Sequence, residues 1–148
     1  MNNVDRTISI RAPADAVFDT ILRPEDFSSF VGSIDSVDLC DTEPAESRYE
    51  WRINLAGAPM SLILDTAFSP PEQVIRSESV GGDLAHFECA WHVRSSGDES
   101  SLQLTCRYRL GMPIEFYVAR TLHEEMTRFI EEILISVRQQ VEPQGEST

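Results

Sequence analysis

The sequence predicts an α+β domain in which one antiparallel sheet is covered by a single long helix. Two observations carry this. Between Ile34 and Leu110 apolar residues recur with period two, in short runs broken by Gly and Pro. From about Pro113 to Val141 the period switches to that of a helix, with Ala119, Leu122, Met126, Phe129, Ile130, Ile133 and Val137 on one stripe.

The first strand is Arg6–Arg11, where apolar and polar residues alternate. Pro13 then suits the first turn of a helix, and Asp15 favours its N-terminus. Ala16, Val17, Phe18, Ile21 and Leu22 form its apolar face, and Arg23-Pro24 breaks it. A second short helix, Glu25–Val31, places Phe27 and Phe30 three apart and ends at Gly32.

Six strand-like runs follow, at 34–41, 47–55, 59–68, 73–80, 84–94 and 100–110. Their separators are Gly57, Pro70-Pro71, Gly81-Gly82 and Gly97-Asp98. Tyr49, Trp51, Ile53 and Leu55 share one face, as do Phe87, Cys89, Trp91 and Val93, and Leu102, Leu104, Cys106, Tyr108 and Leu110. The opposite faces are polar, so one side of the sheet is solvated and the other covered. The final helix, roughly 43 Å long at its expected extent, is the cover. A two-residue turn at Gly97-Asp98 would set Cys89 opposite Cys106, Trp91 opposite Leu104 and Phe87 opposite Tyr108. For 73–80 two phases stand: Val74, Arg76, Glu78 and Val80 inward, or Ile75, Ser77 and Ser79.

Composition narrows the function. The 148 residues suit one domain, expected over 1–142, with a polar disordered tail at 143–148. Hydrophobic residues make up 41%, enough for a core without a disulfide or metal staple. The formal net charge is −13, which disfavours nucleic acid and anionic lipid surfaces as partners. All 12 basic residues are Arg. Without Lys there is neither a Schiff-base nucleophile nor a P-loop. No apolar run is long enough to cross a membrane, and the N-terminus does not read as a signal peptide. Three cysteines without a CxxC spacing read as reduced thiols in a cytoplasmic protein.

Three segments resemble the START-like (SRPBCC) superfamily, in its polyketide cyclase/dehydrase and coenzyme-Q-binding-like branch. IleArgAlaProAlaAspAlaValPhe (10–18) is similar to the family's strand-to-helix entry. PheSerProProGluGlnValIle (68–75) is similar to its double-proline turn. AspLeuAlaHisPheGluCysAlaTrpHisVal (83–93) resembles its tryptophan strand, with Val93 where an aromatic is more usual. The resemblance implies a helix-grip fold: two short helices after the first strand, and seven antiparallel strands wrapped around the long C-terminal helix. It also implies an internal cavity for an apolar or aromatic ligand.

The inward aromatics are core residues or, as the resemblance suggests, walls of that cavity. The expected ligand-binding residues are Tyr49, Trp51, Leu64, Arg76, Phe87, Trp91, Tyr108, Leu122 and Met126. Arg76 belongs to the set only if strand 73–80 turns that face inward, where it could hold a carbonyl or enolate oxygen. Glu115 falls on the stripe, either at the cavity mouth or as a favourable charge at the helix N-terminus. His123 lies roughly 60° from the stripe centre, at the edge of the covered face. His86, Glu88 and His92 share an outer strand face and are expected to bind no metal. No catalytic motif occurs, and no cofactor is expected. The sequence thus predicts a carrier or sensor for a small hydrophobic molecule (polyketide, quinone or lipid-like), as a monomer or homodimer. The alternatives are a polyketide cyclase/dehydratase and a co-chaperone-like interaction module.

Overall fold

The computed structural model describes residues 2–42, 46–110 and 116–142, with side chains for all of these except 116–119. Seven strands form one sheet in the order β1-β7-β6-β5-β4-β3-β2, with every neighbouring pair antiparallel. They are β1 (Asn2–Ile10), β2 (Ile34–Thr42), β3 (Ser47–Leu55), β4 (Ala58–Ser69), β5 (Val74–Gly82), β6 (His86–Ser96) and β7 (Glu99–Arg109). Helix α1 (Ala14–Ile21) and a 3₁₀ turn (Pro24–Ser29) join β1 to β2, and helix α2 (Phe116–Val141) follows β7. The helix-grip architecture expected from the sequence is the one observed. Pro113 and Glu115, expected at the start of the long helix, lie outside the described residues, as does the tail at 143–148.

Local chemistry explains the turns. Gly97 has φ +67° and is the first of two residues between β6 and β7, a type II′ geometry that only glycine adopts without strain. The register follows, with Cys89 opposite Cys106, Trp91 opposite Leu104 and Phe87 opposite Tyr108. Ala56 (φ 53°) and Gly57 (φ 91°) make the corresponding two-residue link between β3 and β4.

Three elements near the N-terminus differ from expectation, and the later strands except β3 shift by one or two residues at their ends. β1 starts at Asn2 rather than Arg6, because it is held by β7 from the Asn2–Tyr108 pair onward. Pro13 sits one residue before α1, in extended conformation. The second short helix is a 3₁₀ segment, closed by Asp26 N–H donating to Arg23 O and Phe30 N–H donating to Phe27 O.

The concave face of the sheet carries the core. Ile10, Ile53, Leu102, Leu104 and Tyr108 are buried there against Met126, Ile130 and Val137 of α2. Bulges in β2 and at Val80 of β5, opposite Ile63 and Leu64 of β4, bend the sheet. Helix α2 is tied down at three levels: Glu131 to Arg6 at 3.0 Å, Glu132 to the Ser33 N–H at 3.2 Å, and Glu142 to the Arg11 N–H at 2.8 Å. The Arg11 contacts hold the Glu142 carboxyl below the usual carboxylate range.

Candidate functional site

Between the sheet and α2 lies an apolar cavity of about 40 Å³. Its sheet side is built by Trp51 and Ile53 from β3, Leu62 and Leu64 from β4, Phe87 and Trp91 from β6, and Leu104 from β7. Its helix side is Phe129, Ile130 and Ile133. The volume suffices for a few waters by size. It is far below the 300 Å³ or more typical of a drug-sized ligand site. The interior is therefore nearly closed, and a two-ring molecule enters only if the walls separate.

Four of the expected ligand-binding residues line this space: Trp51, Leu64, Phe87 and Trp91. Tyr49, Tyr108 and Met126 are buried in the surrounding core, and Leu122 is half-buried. Arg76 is a correction. It is exposed on the outer face, while Ile75 and Ser77 are buried. Direct cross-strand partners share a face, and Ile75 pairs with Phe68 and Trp91 while Arg76 pairs with Ala67 and Ala90. An unpaired guanidinium would also cost far more to bury than isoleucine.

Sequence reading missed part of the site. Phe27, on the 3₁₀ turn, stands edge-on to both Trp51 and Trp91, with ring centroids 5.7 Å apart in each case. It braces the two indoles from below. Its spacing from Phe30 signalled burial but not this partnership. The polar groups near the cavity were equally silent. Thr66 and Ser77 are buried and share a hydrogen bond of 2.8 Å. Trp51 Nε1 is covered from solvent and has no partner among the described residues. An unmet buried donor costs on the order of 1–3 kcal/mol.

The sheet is loosest beside this space. Pairing of β5 with β6 runs only from Val74–His92 to Glu78–Glu88. Beyond it the Phe87 N–H donates to the Ser79 hydroxyl at 2.9 Å instead of to a backbone carbonyl. Val80 is skipped by the β4–β5 register shift and is exposed.

Farther along the interior, Tyr108 and His123 Nδ1 share a hydrogen bond of 2.7 Å, with the rings stacked at 6.0 Å. Burial pushes the Tyr108 phenol up to about 12. On the outer face His86 Nε2–H donates to Glu88 at 2.8 Å, and Arg107 stands 3.8 Å from the same carboxylate. His92 does not share those contacts; burial, then Arg94 and Arg76, lower its pKa. Among the described residues no group of three or more His, Cys, Asp or Glu is placed to hold a metal.

This architecture has known counterparts. The family model described as polyketide cyclase / dehydrase and lipid transport matches residues 10–132. The chain belongs to that family. Among curated proteins no sequence matches. Among solved structures the fold is similar to that of the Thermus thermophilus protein TTHA0849, with a TM-score of 0.87 and 22% identity over 95% of this chain and 97% of that one. It is similar to the Zhui aromatase/cyclase of Streptomyces sp. R1128, with a TM-score of 0.86 and 16% identity over 95% and 93%. It is also similar to major latex-like protein 151 of Panax ginseng, with a TM-score of 0.77 and 14% identity over 96% and 98%. At these identities the likeness to solved structures is one of fold. The family places this chain on a ligand-binding fold, and no helix among the described residues is long and apolar enough to cross a membrane.

Proposed function

We propose that the protein binds a small, largely apolar molecule between the sheet and α2, as a carrier or sensor. The observation that carries this reading is the cavity itself, walled by two tryptophans and two phenylalanines yet bordered by the weakest seam of the sheet. A polyketide, quinone or lipid-like molecule of that kind is the candidate ligand. The β5–β6 seam can part at low cost, because its hydrogen bonding already relies on a side chain. That supports a cavity that swells on binding rather than one that stands open.

The family description and the Zhui neighbour keep a cyclase/dehydratase as the second reading. Such an enzyme needs groups that give and take protons at the bound substrate. The described residues around the cavity supply hydroxyl, thiol and indole groups but neither carboxylate nor imidazole, which favours the carrier. An interaction module would use an exposed apolar patch. The exposed large apolar side chains among the described residues, Leu39, Val80 and Ile135, sit on three different elements. Three free thiols suit a reducing cytoplasm, and the reading includes a monomer or homodimer there.

Native mass spectrometry of the purified protein tests this. The expected result is a co-purifying small molecule bound one per chain and lost on denaturation. A bare chain, joined with failure to take up any neutral two-ring probe, would contradict it.

A further inference from the structure

Among the described residues, one residue of the cavity wall carries a buried donor without a partner. Trp51 Nε1 is the buried side-chain nitrogen or oxygen without a partner among the described residues. Its ring is fixed against Phe27 and forms part of the wall. The hydroxyl and thiol groups around this space face one another: Ser77 shares a hydrogen bond with Thr66, and the free Cys89 and Cys106 thiols stand opposite each other across β6 and β7. Water is a poor substitute partner, since a buried water needs two to four polar neighbours and the lining is mostly apolar, with its hydroxyl already hydrogen-bonded to Thr66.

A largely apolar wall in which one fully covered donor stands unpartnered among the described residues discriminates in one direction. A ligand with an acceptor oxygen satisfies the donor; one without leaves it buried and unmet. We propose that Trp51 is the specificity-determining residue of the cavity, its indole N–H donating to a carbonyl or ether oxygen on an otherwise apolar ligand. This rests on the cavity being the binding site. It adds that the ligand carries an acceptor oxygen at the Trp51 wall and that pure hydrocarbons are rejected.

The test compares 1-tetralone with tetralin, two neutral bicyclic probes of matching shape that differ in one carbonyl. Both are titrated into the ¹⁵N-labelled protein, whose two indole N–H resonances are assigned with Trp51→Phe and Trp91→Phe. The inference predicts that tetralone binds at least about tenfold more tightly than tetralin. It also predicts that only tetralone moves the Trp51 resonance downfield and that Trp51→Phe abolishes the preference. If both probes bind with the same preference in wild type and Trp51→Phe, or move the Trp51 resonance alike, the inference fails and the cavity reading survives. If neither probe binds, both fail. Should Trp51→Phe not fold, the wild-type resonance, identified as the one retained in Trp91→Phe, still decides between these outcomes.

Discussion

Tyr108 on β7 and His123 on α2 share a hydrogen bond of 2.7 Å, which joins the last strand to the long helix by side-chain polar chemistry. Tyr108 is fully buried, and its phenol is pushed up to about 12 by that burial. An unfolded tyrosine titrates near 10. The folded state therefore retains the proton longer than the unfolded state. This contribution to stability is complete below about pH 10 and is lost as pH rises through about 12. Urea midpoints should fall between those limits, and the Tyr108→Phe variant should lack that part of the slope. The same variant should lose about 0.5–1.5 kcal/mol at neutral pH for the missing hydrogen bond, and absorbance at 295 nm should lose a phenolate transition at about pH 12.

Cys89 and Cys106 face each other across β6 and β7, both as free thiols. The hydrogen bond between them and burial together push the Cys106 thiol well up. Cys40 is exposed. A thiol-disulfide reagent such as DTNB at pH 8 is expected to modify Cys40 rapidly and Cys106 only after denaturation. Rapid modification of Cys106 in the folded protein would show that the β6–β7 interior is open to solvent.

The Thr66–Ser77 pair should behave as a coupled unit. Ser77→Ala leaves the Thr66 hydroxyl buried without its partner and should cost about 1–3 kcal/mol. Adding Thr66→Val should recover part of that loss, because neither hydroxyl then remains. Chemical denaturation of the two single variants and the double variant measures the coupling. Simple additivity would mean that the hydroxyls act independently.

Gly82 has φ +114°, and a Cβ there would lie 2.5 Å from the Ser61 carbonyl oxygen. Gly82→Ala should therefore destabilise by more than about 1 kcal/mol, whereas the same change at Gly57, where a Cβ meets nothing within 4 Å, carries backbone strain alone. Thermal melts of the two variants should rank them in that order.

The fold was largely legible because it rests on periodicity. Strand faces such as Phe87-Cys89-Trp91-Val93 are written two residues apart, and the Gly97-Asp98 turn fixed the β6–β7 register from sequence. Arg76 shows where that reading runs out. Strand 73–80 mixes apolar and polar residues in both phases, and only its pairing with Trp91 through Ile75 decides the face. The candidate site was half legible for a related reason. Alternation marks Trp51, Leu64, Phe87 and Trp91 as inward, but which inward residues border a void depends on how α2 seats on the sheet. No local pattern encodes the placement of Phe27 between two indoles, or a Trp51 N–H left without an acceptor.

The central claim is that the space between sheet and helix is where a ligand goes. Fluorescence titration with the neutral naphthyl ketone probe 6-propionyl-2-dimethylaminonaphthalene, which carries an acceptor carbonyl, tests it most directly, in wild type, Ile133→Phe and Arg107→Ala. Ile133 lines the cavity, and a phenyl ring there would take up much of its roughly 40 Å³. Arg107 lies on the solvated outer face. Saturable one-to-one binding is expected, weakened at least about tenfold by Ile133→Phe and unchanged by Arg107→Ala. Equal effects of the two substitutions, or no saturable binding by the wild-type protein, would contradict the account.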